Sequence, residues 1–265
     1  MSKMSDLEKD KRDEMDGGFA VVDRERLIEE EIRSVTPWYK HFIHVFTAPG
    51  QMMEECFSIE PTKGASIGSV GIILFSAIYM LLNFANPLVK IQTFEALRSA
   101  GIDESKLAQT YQVSRISGTI GGIIGAFFSV FLTALIVQIV KAIVKDRCKF
   151  ATVFKMVMIA TTVSYAILCV DALVAILIGA NGSVFSISFL MSEEMRKGVV
   201  GTLLAGTVSL ANIISIIYMI MGYRIITHGT KKKAIIVVLI VEVILIAFSY
   251  GTTSLSVSMA SSIMG

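Results

Sequence analysis

The sequence has few charged residues, and this shortage narrows the class of protein. Charged residues make up 17% of the 265 residues, whereas globular domains average about 25%. Hydrophobic residues reach 54%, so the composition indicates a polytopic membrane protein and excludes an ordinary soluble domain. The net charge of +2 is too small to indicate a nucleic-acid partner.

Cysteine and histidine are also scarce. Three cysteines lie far apart without a CxxC motif, so we expect no disulfide framework. His41 and His44 are three residues apart but have no third ligand nearby, so no metal site is expected. The polar N-terminus contains no apolar h-region, so no signal peptide is expected and the first span directs insertion.

Signatures of catalysis are missing as well. The sequence contains no HExxH, no GxGxxG after a strand and no Walker lysine loop. These motifs place metal ligands or phosphate-binding backbone where catalysis needs them. We therefore expect no enzyme, no catalytic residues and no cofactor.

Long apolar runs are what the sequence does have. Five of them are long enough to cross a hydrocarbon core of ~30 Å. They predict an all-α polytopic membrane protein with five transmembrane helices, at about 67–84, 118–140, 156–179, 199–222 and 234–250. The remaining parts of 67–250 are loops, of which 86–117 is either a small helical cap or a solvated connector. Residues 1–36 are predicted to be a partly disordered polar arm, and 251–265 a short outer tail or frayed helix end.

The basic residues predict a cytoplasmic N-terminus. Five spans place the two termini on opposite sides of the membrane. With the N-terminus inside, the cytoplasmic segments hold 18 of the 24 Lys and Arg residues and the outer segments hold six. This positive-inside distribution leaves the C-terminus outside.

The segment 37–66 is predicted to form two short amphipathic helices at the membrane interface. Trp38, Phe42 and Phe46 recur at helical spacing beside Lys40, a composition typical of helices in the headgroup region. The second helix follows a Pro-Gly break and stops before a further proline.

Three polar side chains inside the spans, Asp171, Asn212 and Glu242, are the candidate functional residues. A charged carboxylate at the bilayer centre costs about 2.5–3.5 kcal/mol on insertion scales. The predicted spans contain no Lys, Arg or His, so the carboxyls need hydrogen bonds, protonation, water or a cation. We expect an intramembrane polar cluster in which Asn212 reaches either carboxyl. Both a structural role and contact with an ion, proton or substrate stay open.

The second span opens with glycines at helix-packing spacing. Gly118, Gly122 and Gly125 take part in overlapping GxxxG pairs, which allow close approach of helix backbones in lipid. The motif predicts packing without saying whether the partner helix belongs to the same chain or to a second copy.

The layout resembles the Yip-domain family of five-span membrane proteins, the Rab- and Ypt-interacting group with its bacterial relatives. The likeness covers about 37–250 and includes a Ser-Tyr pair at 164–165 in the third span. Two features depart from the family: no proline follows that pair, and the loop 86–117 is longer than in compact members. Four residues follow the family's pattern of an aromatic residue, a proline, an apolar residue and a proline: Phe46, Pro49, Met53 and Pro61.

The resemblance implies an integral membrane protein without catalysis, acting in membrane organisation, trafficking or transport in a bacterial plasma membrane. We expect a scaffold or adaptor whose cytoplasmic face binds membrane or cytoplasmic protein partners. The alternative is a small transporter or channel component that uses Asp171 and Glu242. Besides the lipid bilayer, a second copy of the chain is a partner compatible with the glycine motif.

Overall fold

The computed structural model describes residues 38–58, 61–192, 195 and 199–264; the predicted polar arm, 1–36, lies outside these residues. The chain divides into two compact units, Met1–Ile43 and His44–Gly265, and all the spans belong to the second. The described residues form nine α-helices and one 3-10 helix: α1 Trp38–Thr47, α2 Pro49–Ser58, α3 Pro61–Ala85, α4 Pro87–Ser99, α5 Glu104–Ile143, α6 Phe150–Ile178, the 3-10 helix Ile187–Leu190, α7 Val199–Thr207, α8 Leu210–Thr227 and α9 Lys231–Met264.

Five helices in the described part of the chain are long and apolar enough to cross a membrane. The all-α, five-span architecture predicted from the sequence is thereby confirmed. Large apolar side chains such as Phe128, Ile139 and Leu177 are exposed on their outer surfaces, which is typical of surface in contact with lipid. The candidate spans are Ser66–Ala85, Glu104–Ile143, Phe150–Ile178, Leu210–Thr227 and Lys231–Thr252.

The long connection between the first two spans is helical. α4 ends near a turn at Gly101, whose φ of 80° suits glycine. α5 then runs for 40 residues, or about 60 Å at 1.5 Å per residue. This is roughly twice the hydrocarbon thickness, so one end of α5 extends beyond the membrane. The segment 86–117 is thus helical on both sides of Gly101, and its place on the outer face stays a prediction.

Two hydrogen bonds hold this helical hairpin against the spans. Asn86 Nδ2 donates to Ala180 O at 2.9 Å, and the Tyr111 hydroxyl donates to Phe84 O at 2.5 Å. The Tyr111 ring also packs edge-on against Phe84 and Phe94. The hairpin is therefore joined both to the end of α3 and to the end of α6.

α6 packs against α3, α5 and α8, and its contact with α3 depends on two glycines. A Cβ at Gly68 would lie 2.8 Å from Met158 Cβ, and one at Gly71 would lie 2.9 Å from Thr162 Oγ1. Thr162 Oγ1 is also 3.1 Å from Gly68 O, within hydrogen-bonding distance. Small residues let membrane helices approach this closely, so this pair sets the α3–α6 crossing.

Two of the three glycines predicted to mediate packing lie at a helix contact. Gly118 faces Phe84, and Gly122 faces Met80, both on α3. No atom lies within 4 Å of the position that a Cβ at Gly125 would take. Within the described residues, Gly125 therefore packs against no neighbouring helix, because its face of α5 is open.

The structure corrects the fourth predicted span and, for 251–265, shows the predicted alternative of a helix continuation. The segment 199–222 is not one helix, because it is interrupted at 208–209 between α7 and α8. Ser209 Oγ accepts a hydrogen bond from Asn212 N at 3.2 Å, which caps a new helix at this point. The tail 251–265 is helical as far as Met264, since no proline interrupts the continuation of α9.

Candidate functional site

The interruption between α7 and α8 is held by the loop that follows α6. Val208 O accepts a hydrogen bond from Ile187 N at 3.0 Å. Ala205 O accepts one from Ser186 Oγ at 2.7 Å. These carbonyls lose helical partners at the break, and broken membrane helices persist where such groups are paired again. The loop is thus part of the fourth span's architecture.

Asp171, near the end of α6, holds the same loop. Its Oδ1 accepts hydrogen bonds from Val184 N at 2.8 Å and Phe185 N at 2.9 Å. Phe185 O in turn accepts from Leu210 N, the first residue of α8, at 2.8 Å. Asp171 is 3% exposed. These contacts favour the structural interpretation of Asp171, as a clamp between α6, the loop and α8.

Asn212 lies beside the interruption and lines the same cavity as Glu242. Its Nδ2 donates to Thr207 O, at the end of α7, at 2.9 Å. Glu242 lies midway along the span Lys231–Thr252, about 16 Å from either end at 1.5 Å per residue. The break in one helix therefore places a polar group in a cavity that also holds a carboxyl deep in another helix.

Glu242 and Asn212 line a cavity of about 450 Å³ bordered by α5, α6, α7, α8 and α9. Each of these helices contributes at least one Ser, Thr or Tyr hydroxyl to the lining, eight in total. Lipid-facing surface carries no such concentration of polar groups, because each unpaired polar group in hydrocarbon costs several kcal/mol. The cavity is accordingly the strongest candidate for a ligand site within the spans.

The structure brings together two of the three residues predicted to form one cluster. Asn212 and Glu242 share the cavity, whereas Asp171 lines a separate pocket of about 40 Å³. Tyr79 in that pocket and Tyr165 in the cavity pack edge-on, with ring centroids 6.1 Å apart. The single cluster is therefore corrected to two sites, because Asp171 bonds to the loop backbone while Glu242 lies at the middle of its span.

The predicted interface residues belong to α1. Its helical backbone over Trp38–Thr47 places Trp38, Phe42 and Phe46 at the expected spacing. Phe46 is 51% exposed while its neighbour Val45 is buried. The side chains of Trp38 and Phe42 lie outside the described residues, so their contact with the interface stays a prediction.

A charged cluster at the other end of the bundle escaped the sequence analysis. Asp146 accepts hydrogen bonds from Lys233 Nζ and, at 2.7 Å, from the Tyr223 hydroxyl. Burial acts to raise the pKa of the Asp146 carboxyl, but these two hydrogen bonds and the charges of Lys233 and Lys141 hold the pKa below its ordinary value. The partners are 77 and 87 residues away in sequence, so no local pattern pointed to them.

A groove of about 720 Å³ opens at the same end, between α2, α8 and the start of α9. α2 approaches α8 closely where Gly222 leaves space for Met53 and Met156. Three apolar side chains line the groove together with four ionisable ones: Ile220, Met221, Ile225, Glu54, Arg224, His228 and Lys231. This combination of apolar and mostly basic groups suits recognition of a partner with acidic and apolar side chains.

Comparison with known proteins identifies the family. The sequence model of the Yip1 domain matches residues 43–252, which include α2, all five spans and both cavities. No significant match occurs among curated proteins or solved structures. The family resemblance predicted for 37–250 is confirmed over most of that range. The chain belongs to the Yip1-domain family of membrane proteins.

Proposed function

We propose that this Yip1-domain protein is a non-enzymatic membrane scaffold or adaptor that acts in membrane organisation or trafficking. It binds a protein partner in the groove between α2, α8 and α9, on the cytoplasmic side of a bacterial plasma membrane. The single observation that carries this function is the groove itself, whose lining combines apolar side chains with more basic than acidic groups.

The composition of the groove supports a protein partner. Ile220, Met221 and Ile225 offer apolar contact, and Arg224 and Lys231 offer positive charge. Protein interfaces combine an apolar centre with complementary charges that guide encounter and fix register. The partner segment accordingly carries acidic residues beside apolar ones.

The surroundings of the groove support a preformed surface. The Asp146–Lys233 ion pair and the Tyr223–Asp146 hydrogen bond join the α5–α6 turn, α8 and α9. On the other side, Met52 and Met53 of α2 are fully buried. A surface held in place before binding loses less conformational entropy when the partner arrives.

The distribution of charge supports the cytoplasmic assignment. The groove lies at the end of the bundle that carries the basic turns 141–149 and 223–233. Short loops rich in Lys and Arg stay on the cytoplasmic side during insertion. The partner is therefore a cytoplasmic protein or the cytoplasmic part of a membrane protein.

Site-specific crosslinking in native membranes tests the scaffold function. A photo-crosslinking residue at Met221 should capture one discrete partner. Arg224→Glu combined with Lys231→Glu should reduce that capture at least about tenfold, because each charge reversal removes an attraction and adds a repulsion. Arg147→Glu with Lys149→Glu, two exposed basic residues outside the groove, is the matched control and should leave capture unchanged.

The control position for the crosslinker is Ile143, which is 72% exposed and lies at the end of a span. If crosslinkers at Ile143 and Met221 captured the same proteins, the groove would not bind a partner selectively. Unchanged capture in the variant that combines Arg224→Glu and Lys231→Glu would also refute the proposed scaffold function.

A second candidate function is transport, favoured by the position of Glu242 in an intramembrane cavity. Of the two predicted carboxyls, Glu242 lines that cavity and Asp171 does not. Asp171 therefore has no direct part in the proposed transport. In liposomes, Glu242→Gln should abolish a cation-dependent flux while Asp171→Asn leaves it intact. Absence of any flux through the wild-type protein would exclude this function.

A further inference from the structure

We infer that the cavity at Glu242 is a binding site for a small organic cation, an amine that carries one positive charge and a short apolar part. The inference goes beyond the scaffold proposal. It extends the second candidate function by naming the ligand class, yet it concerns occupancy alone and holds whether or not the ligand crosses the membrane.

The charge of the cavity selects a monocation. Glu242 on α9 and Tyr165 on α6 are its titratable lining residues, and α5, α7 and α8 contribute none. The lining contains no Lys, Arg or His. A carboxylate at this depth is costly without a counter-ion, and a ligand with a single positive charge balances it.

The end of α7 adds negative potential to the same cavity. Gly206 and Thr207 line it, and they belong to the last turn of α7. The C-terminal end of a helix carries partial negative charge on its carbonyl groups, which favours cations. Interrupted membrane helices bind cations near such C-terminal ends at the middle of the bilayer.

The size and lining favour an organic ligand over a bare metal ion. A volume of about 450 Å³ falls in the range of about 300–1,000 Å³ that small-molecule sites occupy. Divalent metal ions such as Ca²⁺ prefer six to eight oxygens at about 2.3–2.6 Å. Within the described ranges no group of three or more His, Cys, Asp or Glu residues could hold a metal. Six apolar side chains instead alternate with the hydroxyls: Val157, Leu168, Leu203, Met219, Leu245 and Ile246.

The groups that share the cavity with Glu242 suit this ligand. Asn212 is fixed by its bond to Thr207 O and by the cap at Ser209, and its side chain lines the same cavity. Because Nδ2 donates to Thr207 O, the amide oxygen is the group of Asn212 that can accept from an ammonium in addition to the carboxylate. Tyr165 supplies an aromatic ring, a type of side chain that also attracts ammonium groups.

Thermal unfolding of the full chain in nanodiscs, with butylammonium as the probe, tests the site. A ligand that binds the folded state raises Tm with its concentration, so we expect butylammonium to stabilise the wild-type protein. 1-Butanol has nearly the same shape without the charge and should not. Glu242→Gln should weaken the apparent affinity for butylammonium at least about tenfold, while Glu242→Asp, which keeps the charge, should retain binding.

The matched control is Glu95→Gln, the same change at an exposed carboxylate on α4, and it should leave the affinity unchanged. If Glu242→Gln lowers Tm without ligand, binding is judged from the Tm shift that butylammonium causes in this variant, measured from the variant's own ligand-free Tm. An equal shift in Glu242→Gln, or an equal shift with 1-butanol, would overturn the site. Complete competition by Na⁺ or K⁺ at the same ionic strength would overturn the organic-cation assignment. None of these results would affect partner capture at Met221, so the scaffold proposal is judged separately.

Discussion

The crossing of α3 and α6 makes a quantitative prediction for Gly71→Ala. The added Cβ would lie 2.9 Å from Thr162 Oγ1 and 3.2 Å from Thr162 Cβ, with the Thr162 methyl closer still. Overpacking of this kind costs about 1–3 kcal/mol. Ala gains about 0.5–1 kcal/mol over Gly in a helix interior. Subtracting the gain from the cost leaves a loss of roughly 0–2.5 kcal/mol in the free energy of unfolding, with a midpoint of about 1 kcal/mol.

The matched control is Gly125→Ala on α5. No atom lies within 4 Å of the added Cβ there, so only the gain in helix propensity remains and stability should stay equal or rise. Thr162→Ser provides a rescue, because it removes the methyl group and keeps the hydroxyl that bonds Gly68 O. The double variant Gly71→Ala, Thr162→Ser should be more stable than the sum of the two single changes indicates.

Equilibrium unfolding in mixed micelles with increasing dodecyl sulfate, followed by circular dichroism, measures these differences. Gly71→Ala should unfold at a lower detergent fraction than the wild type, and Gly125→Ala should not. Equal stability of the two alanine variants would refute the tight crossing. Additive effects in the double variant would show that Thr162 is not the group displaced.

Three further predictions follow from the clamp, the charged cluster and the interfacial helix. Asp171→Asn keeps an oxygen for the two loop amides and should leave Tm nearly unchanged, whereas Asp171→Leu leaves two buried donors unpaired at about 1–3 kcal/mol each; equal Tm values would exclude the clamp. Since the pKa of Asp146 is lowered in the folded state, its stabilisation is present above the unfolded-state pKa of about 3.9 and is lost as pH falls through the folded value. Asp146→Asn should thus be less stable than the wild type at pH 7 and approach it in acid, and a pH-independent difference would contradict this. Trp38 emission should be blue-shifted in liposomes, and Phe46→Ser should weaken that shift; water-like emission would place the segment off the membrane.

The spans were predictable from the sequence because crossing the bilayer requires a certain length and hydropathy, and both are local properties of the sequence. The interruption at 208–209 was not, since no Pro stands there and single Gly, Ser and Thr residues such as those at 206–209 are common inside spans. Its clearest local signal is Ser209, whose side chain caps the helix that starts at Leu210. A Ser followed three residues later by Asn is common in sequences and does not by itself predict a break in a span. The break also needs the loop that pairs the freed carbonyls.

The sites depended on contacts between distant residues. The sequence showed that Asp171 and Glu242 need partners, but only the fold shows that Asp171 bonds loop amides while Glu242 shares a cavity with Asn212. The GxxxG pairs identified in the second span contain the α5 glycines that meet α3. Gly68 also forms such a pair with Gly64 but was not identified as a packing residue, and Gly71 has no glycine at this spacing. Which glycine faces a neighbour is a property of helix orientation, and spacing alone does not determine that.

Thiol labelling of two introduced cysteines tests most directly that the groove and the outer loop lie on opposite sides of the membrane. Cys56 and Cys169 are buried, and burial raises the pKa of the Cys56 thiol to about 11, so with Cys148→Ser the background reactivity is low. Lys149→Cys, in the α5–α6 turn, should react with a membrane-impermeant maleimide only after the cells are opened. Asn181→Cys, after α6, should react in intact cells. The reverse pattern, or labelling of both from one side, would contradict the five-span arrangement with a cytoplasmic groove.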